Sequence, residues 1–201
     1  MSNKDFLPKS YKMSDSTGKY MRFEQGNNKF RALTSAIVGF EYWLDKSGKL
    51  VLAGEMAGEG GKPMRVKTMS ELSGKPEQYE AKEFWAFVVY NFQTKQIEIL
   101  QLKQRSIMAG IQALTRNEDW GSPLDYNITV HREGAGLDTV YTVTPSPKTE
   151  LDVDVSDVKN IDLTALYRGE DPFNPVARNE TVNADDIPDF DEEGFEASLD
   201  E

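Results

Sequence analysis

A chain of 201 residues is long enough for one domain with appendages; having no cysteine and a single histidine, His131, it excludes disulfides and thiolate metal sites, and no cofactor is expected. Its net charge of −11 is unevenly placed: residues 150–201 hold 17 acidic against 3 basic side chains, or −14, which leaves a weakly basic +3 for residues 1–149 and keeps a polyanionic partner open. No apolar run approaches the roughly 20 residues that span a bilayer and no signal-peptide core follows Met1, so a cytoplasmic chain without a membrane partner is expected.

Residues 1–26 are polar, with isolated aromatics Phe6, Tyr11, Tyr20 and Phe23 and no sustained period, and read as an N-terminal arm. From Lys29 to Leu44 the pattern is one long strand. Phe30, Ala32, Val38, Phe40, Tyr42 and Leu44 share a core-facing parity, and Lys29, Arg31, Ser35, Glu41 and Trp43 the wet one. Gly39 in its middle suggests a bulge or bend. Asp45 to Lys49 is a turn and Leu50 to Ala53 a short strand. Gly54 to Pro63 is a glycine-rich loop, and Met64 to Met69 is an extended stretch with Arg65 and Lys67 on one side.

Phe84 to Leu102 reads as a hairpin turning at Gln93-Thr94. Its first strand is apolar on both faces, with Phe84, Val88, Tyr90 and Phe92 opposite Trp85, Phe87 and Val89. Such a strand is either central and doubly buried or has one face that binds something flat. Ser106 to Arg116 places Ile107, Ile111 and Leu114 at helical spacing, with Ser106 as a plausible cap. Asn117 to Pro123 is a turn carrying Trp120. Asp125 to Glu133 is a strand, Gly134 to Gly136 turns the chain, and Asp138 to Thr144 is the last strand, closed by Pro145-Ser-Pro147. Residues 149–168 read as a linker with a possible short helix around Val158, Ile161, Leu163 and Leu166. Residues 169–201, acidic and almost free of aliphatic side chains, are predicted to be disordered.

The expected fold is all-β with one short helix. Five strands with the helix between the third and fourth match the order of an OB-fold barrel over residues 27–148, followed by the disordered acidic tail. Enzyme signatures are lacking: Met56 stands where the first glycine of a phosphate loop would be, Pro63 replaces its Ser/Thr, and no nucleophile motif accompanies His131, which reads as an exposed strand residue. The pair Asp152 and Asp154 and the pair Asp185 and Asp186 could meet a metal but read as solvated acid.

OB barrels that bind single strands combine a basic groove, which tracks phosphates, with aromatics on which bases stack. Strand parity and charge select Lys29, Arg31, Arg65, Lys67, Lys103, Arg105 and Arg132 for the phosphates. Trp43, Trp85 and Phe87 are the stacking candidates, followed by Trp120 and Tyr141. The competing role for each aromatic is core packing, and for each cation a solvated surface.

Three blocks of the chain resemble the single-stranded DNA-binding proteins of tailed bacteriophages. They are Lys29-Phe-Arg-Ala-Leu with Gly39-Phe-Glu-Tyr-Trp43, Phe84-Trp-Ala-Phe-Val-Val-Tyr-Asn91, and Asn117-Glu-Asp-Trp-Gly-Ser-Pro123 running into Asp125-Tyr-Asn-Ile-Thr-Val and Gly136 to Pro147. The likeness spans roughly residues 20–148. It implies an OB barrel that coats single-stranded DNA in replication, recombination and repair, in the host cytoplasm. Separately, Asp185, Asp186, Ile187, Pro188, Asp189, Phe190 and Asp191 are similar to the acidic Asp-Ile-Pro-Phe ending through which bacterial single-stranded DNA-binding proteins recruit replication or recombination proteins. Asp189 splits Pro188 from Phe190 and residues 196–201 follow, so Phe190 cannot present a terminal carboxylate. The alternative is a protein-binding adaptor with a DNA-mimicking acidic tail. A metal-dependent nuclease using tail or loop carboxylates ranks third.

Overall fold

The computed structural model describes residues 19–51, 60–72 and 81–174. The chain is mostly β-sheet with few short helices. Its strands are β1 (Tyr20–Met21), β2 (Gly26–Ala32), β3 (Ile37–Leu44), β4 (Lys62–Val66), β5 (Lys82–Asn91), β6 (Gln96–Leu102), β7 (Tyr126–Glu133) and β8 (Val140–Lys148), and α1 (Arg105–Arg116) lies between β6 and β7. Among the described residues these eight strands join one sheet in the order β1-β6-β5-β2-β7-β8, with β3 paired to β5 and β4. Among the described residues no pairing joins β6 to β8, so the sheet is not closed.

The expected long strand from Lys29 to Leu44 is two strands. β2 and β3 pair in succession with the same edge of β5, through Ala32 opposite Val89 and Ile37 opposite Ala86. Between them the Leu33 amide donates to the Val88 carbonyl at 2.8 Å, and the Thr34 hydroxyl accepts from the Val88 amide at 3.1 Å. These bonds carry the pairing through a bend, after which β2 turns its free edge to β7 and β3 turns its own to β4. The bend therefore falls at residues 33–36 and not at Gly39. What Gly39 provides is room: a Cβ there would lie 2.3 Å from the Val66 carbonyl oxygen, so only glycine lets β4 and the Tyr167 ring come this close. Beyond the bend the expected faces fail as well, since Val38 is 53% exposed and Glu41 is buried. Trp43, 40% exposed, stays on the wet side.

β5 is the centre of the molecule and is buried on both faces. Phe87 and Val89 join Phe30, Leu100, Leu102, Tyr126, Ile128 and Val130 in one core, which α1 covers with Ile107, Met108 and Ile111. Gly110 lets that helix approach β8, for a Cβ there would meet Val143 Cγ2 at 2.8 Å. The helix begins at Arg105, with Gln104 before it and no side-chain cap, so Ser106 is not the cap. The opposite face of β5, Phe84, Ala86 and Val88, packs with Ile99 against Leu163 and Leu166. Residues 151–174, which by sequence are linker and start of tail, thus lie on the sheet, with 3₁₀ helices at Ser156–Asn160 and Leu163–Arg168. Asp162 starts the second of these by accepting from the Thr164 amide at 2.9 Å.

β8 runs through Pro145 and Pro147 to Lys148, beyond the end expected at Thr144. Both prolines are tolerated because, among the described residues, β8 pairs with β7 alone and its other edge is free. At the β5–β6 turn, buried Glu98 accepts from Asn91 Nδ2 at 2.9 Å and from the Thr94 hydroxyl at 2.6 Å, satisfying a carboxylate that no periodicity would place inside. Met64 to Met69 divides into β4 and a 3₁₀ turn at Met69–Glu71, and Leu50 makes only an isolated bridge to Leu44. Most of the loop from Gly54 to Pro63, and the tail motif Asp185 to Asp191, lie outside the described residues.

Candidate nucleic-acid interface

A groove of about 870 Å³ opens where β1, β4 and the end of β6 meet the segment from Leu166 to Pro172. Six cationic residues line it, Lys19, Arg22, Lys62, Arg65, Lys103 and Arg168, against two acidic ones, Glu170 and Asp171. Antiparallel pairing explains the concentration. Glu41 stands opposite Arg65 and Trp43 opposite Pro63, so these four share one face of the β3–β4 pair. Pro63 lines the groove, and its cross-strand partner Trp43, 40% exposed on the same face, is not among the lining residues.

The cations are held in place. Glu41, 3% exposed, has its Oε2 2.8 Å from Arg65 Nη2, and its Oε1 takes the Lys103 ammonium. The Arg65 guanidinium also lies over the Phe84 ring, 5.6 Å from its centroid. One carboxylate for two cations leaves a net positive charge facing the groove. At the other wall Asp171 bonds Lys19 at 3.1 Å, and the Lys19 ammonium sits 4.9 Å from the Phe173 ring centre. The Phe173 amide and then Lys19 hold the Asp171 carboxyl below its ordinary value. Burial pushes the Tyr20 phenol above its own.

Of the residues selected from the sequence, Arg65 and Lys103 line the groove. Trp43, paired with Pro63, and Lys67, whose ammonium lies 5.7 Å from the Tyr167 ring centre, are not among the residues that line it. The others are elsewhere. Arg31 is 4% exposed and its guanidinium donates to Asn127 Oδ1 at 2.9 Å and to the carbonyls of Leu124 and Thr149 at 3.3 and 2.9 Å. Burial lowers its pKa, and the group serves as an internal tie. Phe87 is 5% exposed inside the first core, and Trp85 is partly buried against the same core. Both rank as stacking candidates by sequence because the strand is apolar on each side; the C-terminal segment accounts for the second side.

Trp120 packs edge-on against Tyr126 at 5.5 Å. Arg132 donates to the Phe23 carbonyl at 2.7 Å, and Tyr141, its cross-strand neighbour, meets the Phe23 ring at 6.0 Å. Lys29 lies over Phe92, 4.8 Å from the ring centre, and Arg105 is exposed at the start of α1. His131 is an exposed strand residue, as expected, with Nδ1 2.7 Å from Asn27 Oδ1. Asp154 accepts from the Ser156 amide at 2.9 Å, a local turn contact.

The residues that sequence reasoning missed are Lys19, Arg22, Lys62 and Arg168. They lie in stretches without period, the arm, the loop end and the linker, and no local pattern shows that these stretches converge. Compared with models of known protein families, with curated proteins and with solved structures, the chain matches none.

Proposed function

We propose that this chain is a non-enzymatic protein that binds single-stranded DNA with little sequence preference, coating it during replication and recombination. The observation that carries the reading is the groove, six cationic residues around one cavity, together with the exposed Trp43 paired across the strand from Pro63 of its wall. Clustered cations gain by releasing the counterions of a polyphosphate, and an indole stacks on a base whatever the sequence. A single strand fits this pairing better than a duplex because its bases are free to stack. The order of pairings supports an OB-type barrel: β2 and β3 act as one bent first strand, β5 and β6 form the second and third, and α1 precedes the β7–β8 pair. The acidic tail, through Asp185 to Asp191, is the element for recruiting replication or recombination proteins.

The test is a titration of a fluorescein-labelled dT oligonucleotide, following anisotropy and tryptophan fluorescence at two salt concentrations with a duplex competitor. Saturable binding with quenching, weakened log-linearly by salt and little affected by duplex, is expected. No binding at low salt, even after residues 175–201 are removed, would overturn the reading and favour the adaptor.

A further inference from the structure

The floor of the groove contains two buried donors with no acceptor, Gln101 Nε2 and Arg65 Nε. Gln101 is the residue of β6 opposite Ala86, so it shares the face of Phe84 and Arg65 and follows Ile97 and Ile99 along the strand. The Arg65 side chain is 10% exposed, and its Nη2 is engaged by Glu41 at 2.8 Å. Glu41 Oε2 itself makes no hydrogen bond despite that ion pair, so the carboxylate holds the guanidinium by charge and leaves the Nε–H free. A polar hydrogen buried without an acceptor is costly, and the cost is returned when an oxygen reaches it. Here two such donors belong to residues that line one groove, as Lys103 does. A neutral carbonyl would satisfy the two donors, but only an anion also balances the positive charge that Arg65 and Lys103 leave over their shared Glu41.

We propose that this floor is a seat for a single phosphate-type oxyanion, with Arg65 and Gln101 as its donors and Lys103 as its countercharge. Its source is either one phosphodiester of a bound strand or a free phosphate. The first source rests on the strand-binding reading above and the second does not. Glu41 is then a positioning residue that keeps Arg65 over Phe84, leaving its Nε–H for the seat. Both donors are buried, so the Gln101 side chain must rotate to admit the oxygen.

The experiment uses the full-length ¹⁵N-labelled chain and follows the Gln101 side-chain amide and the Arg65 Nε–H by NMR. Inorganic phosphate, then a dT oligonucleotide, is added against sodium chloride of matched ionic strength. The seat is supported if phosphate moves both resonances saturably and chloride does not, and if Gln101→Met, which keeps shape but removes the donor, weakens phosphate binding about tenfold. Movement with the oligonucleotide as well identifies a strand phosphodiester as the source. Movement with phosphate while the oligonucleotide does not bind at all keeps the seat and overturns the strand-binding reading. Oligonucleotide binding that leaves both resonances in place, when phosphate also fails to move them, overturns the seat and leaves that reading intact. A response to chloride equal to that for phosphate, or no response to either ligand, also overturns it.

Discussion

Trp43 and Phe87 are aromatic residues on adjoining strands with opposite fates. Trp43 is 40% exposed on the face that Pro63 carries into the groove, while Phe87 is 5% exposed among the side chains that α1 covers. Base stacking on an exposed indole is worth roughly 1–3 kcal/mol, so Trp43→Ala is expected to weaken dT binding by about 5- to 150-fold while leaving the urea midpoint nearly unchanged. Phe87→Ala is expected to act the other way, costing about 3–5 kcal/mol of stability through the cavity it leaves. Anisotropy and urea denaturation on the two variants separate the roles. If Trp43→Ala binds like wild type, the indole is not a stacking platform.

The bend at residues 33–36 and the segment on the outer face of β5 are what place the groove. Gly39→Ala is expected to destabilise the fold by about 1–3 kcal/mol, because the added methyl meets the Val66 carbonyl and must push β4 away. An unchanged urea midpoint would show that β4 yields freely. The covering segment has its own acid lability. The Thr164 hydroxyl, then Arg168 and the Thr164 amide, hold the Asp162 carboxyl below its ordinary value. A depressed carboxyl contributes stability that is complete above its unfolded pKa of about 3.9 and is lost as pH falls through the lower folded value. Asp162→Asn keeps a cap acceptor but loses the charge that meets Arg168, so it is expected to cost roughly 0.2–1 kcal/mol at pH 7, and the difference from wild type is expected to shrink as pH drops below about 4. Urea midpoints of both proteins between pH 7 and pH 3 measure this; a gap that stays constant with pH would refute the assignment.

The whole chain combines a basic groove with a strongly acidic C-terminal sequence. Residues 175–201 hold ten acidic side chains and one arginine, and they continue from Asn174, just past the docked Asp171 and Phe173. A tethered polyanion competes with DNA at a high effective concentration, and salt weakens that competition. Truncation after Asn174 is expected to raise dT affinity at low salt, with the gain fading as salt rises. The cut belongs there and not at Gly169, because Phe173 packs against Tyr20 and Asp171 binds Lys19. Equal affinities for the two proteins at low salt would remove the tail from the binding equilibrium.

The β5–β6 hairpin, the α1 stripe, the β7–β8 pair and the sign change of charge along the chain are legible in the amino-acid order, because each rests on contacts between near neighbours or on composition alone. Trp43 is legible for the same reason, since its wet parity survives at the strand end. The two strands between Gly26 and Leu44 are not, because a bend made by Thr34 on Val88 leaves no mark in an alternating pattern. Nor is the burial of Glu41 and Arg31, whose partners lie at Arg65 and Lys103 and at Asn127 and Thr149. The groove itself joins residues near 20, 65, 103 and 168. Such a site is an outcome of chain closure over long separations, and a linear reading assigns its cations to separate arms, loops and linkers.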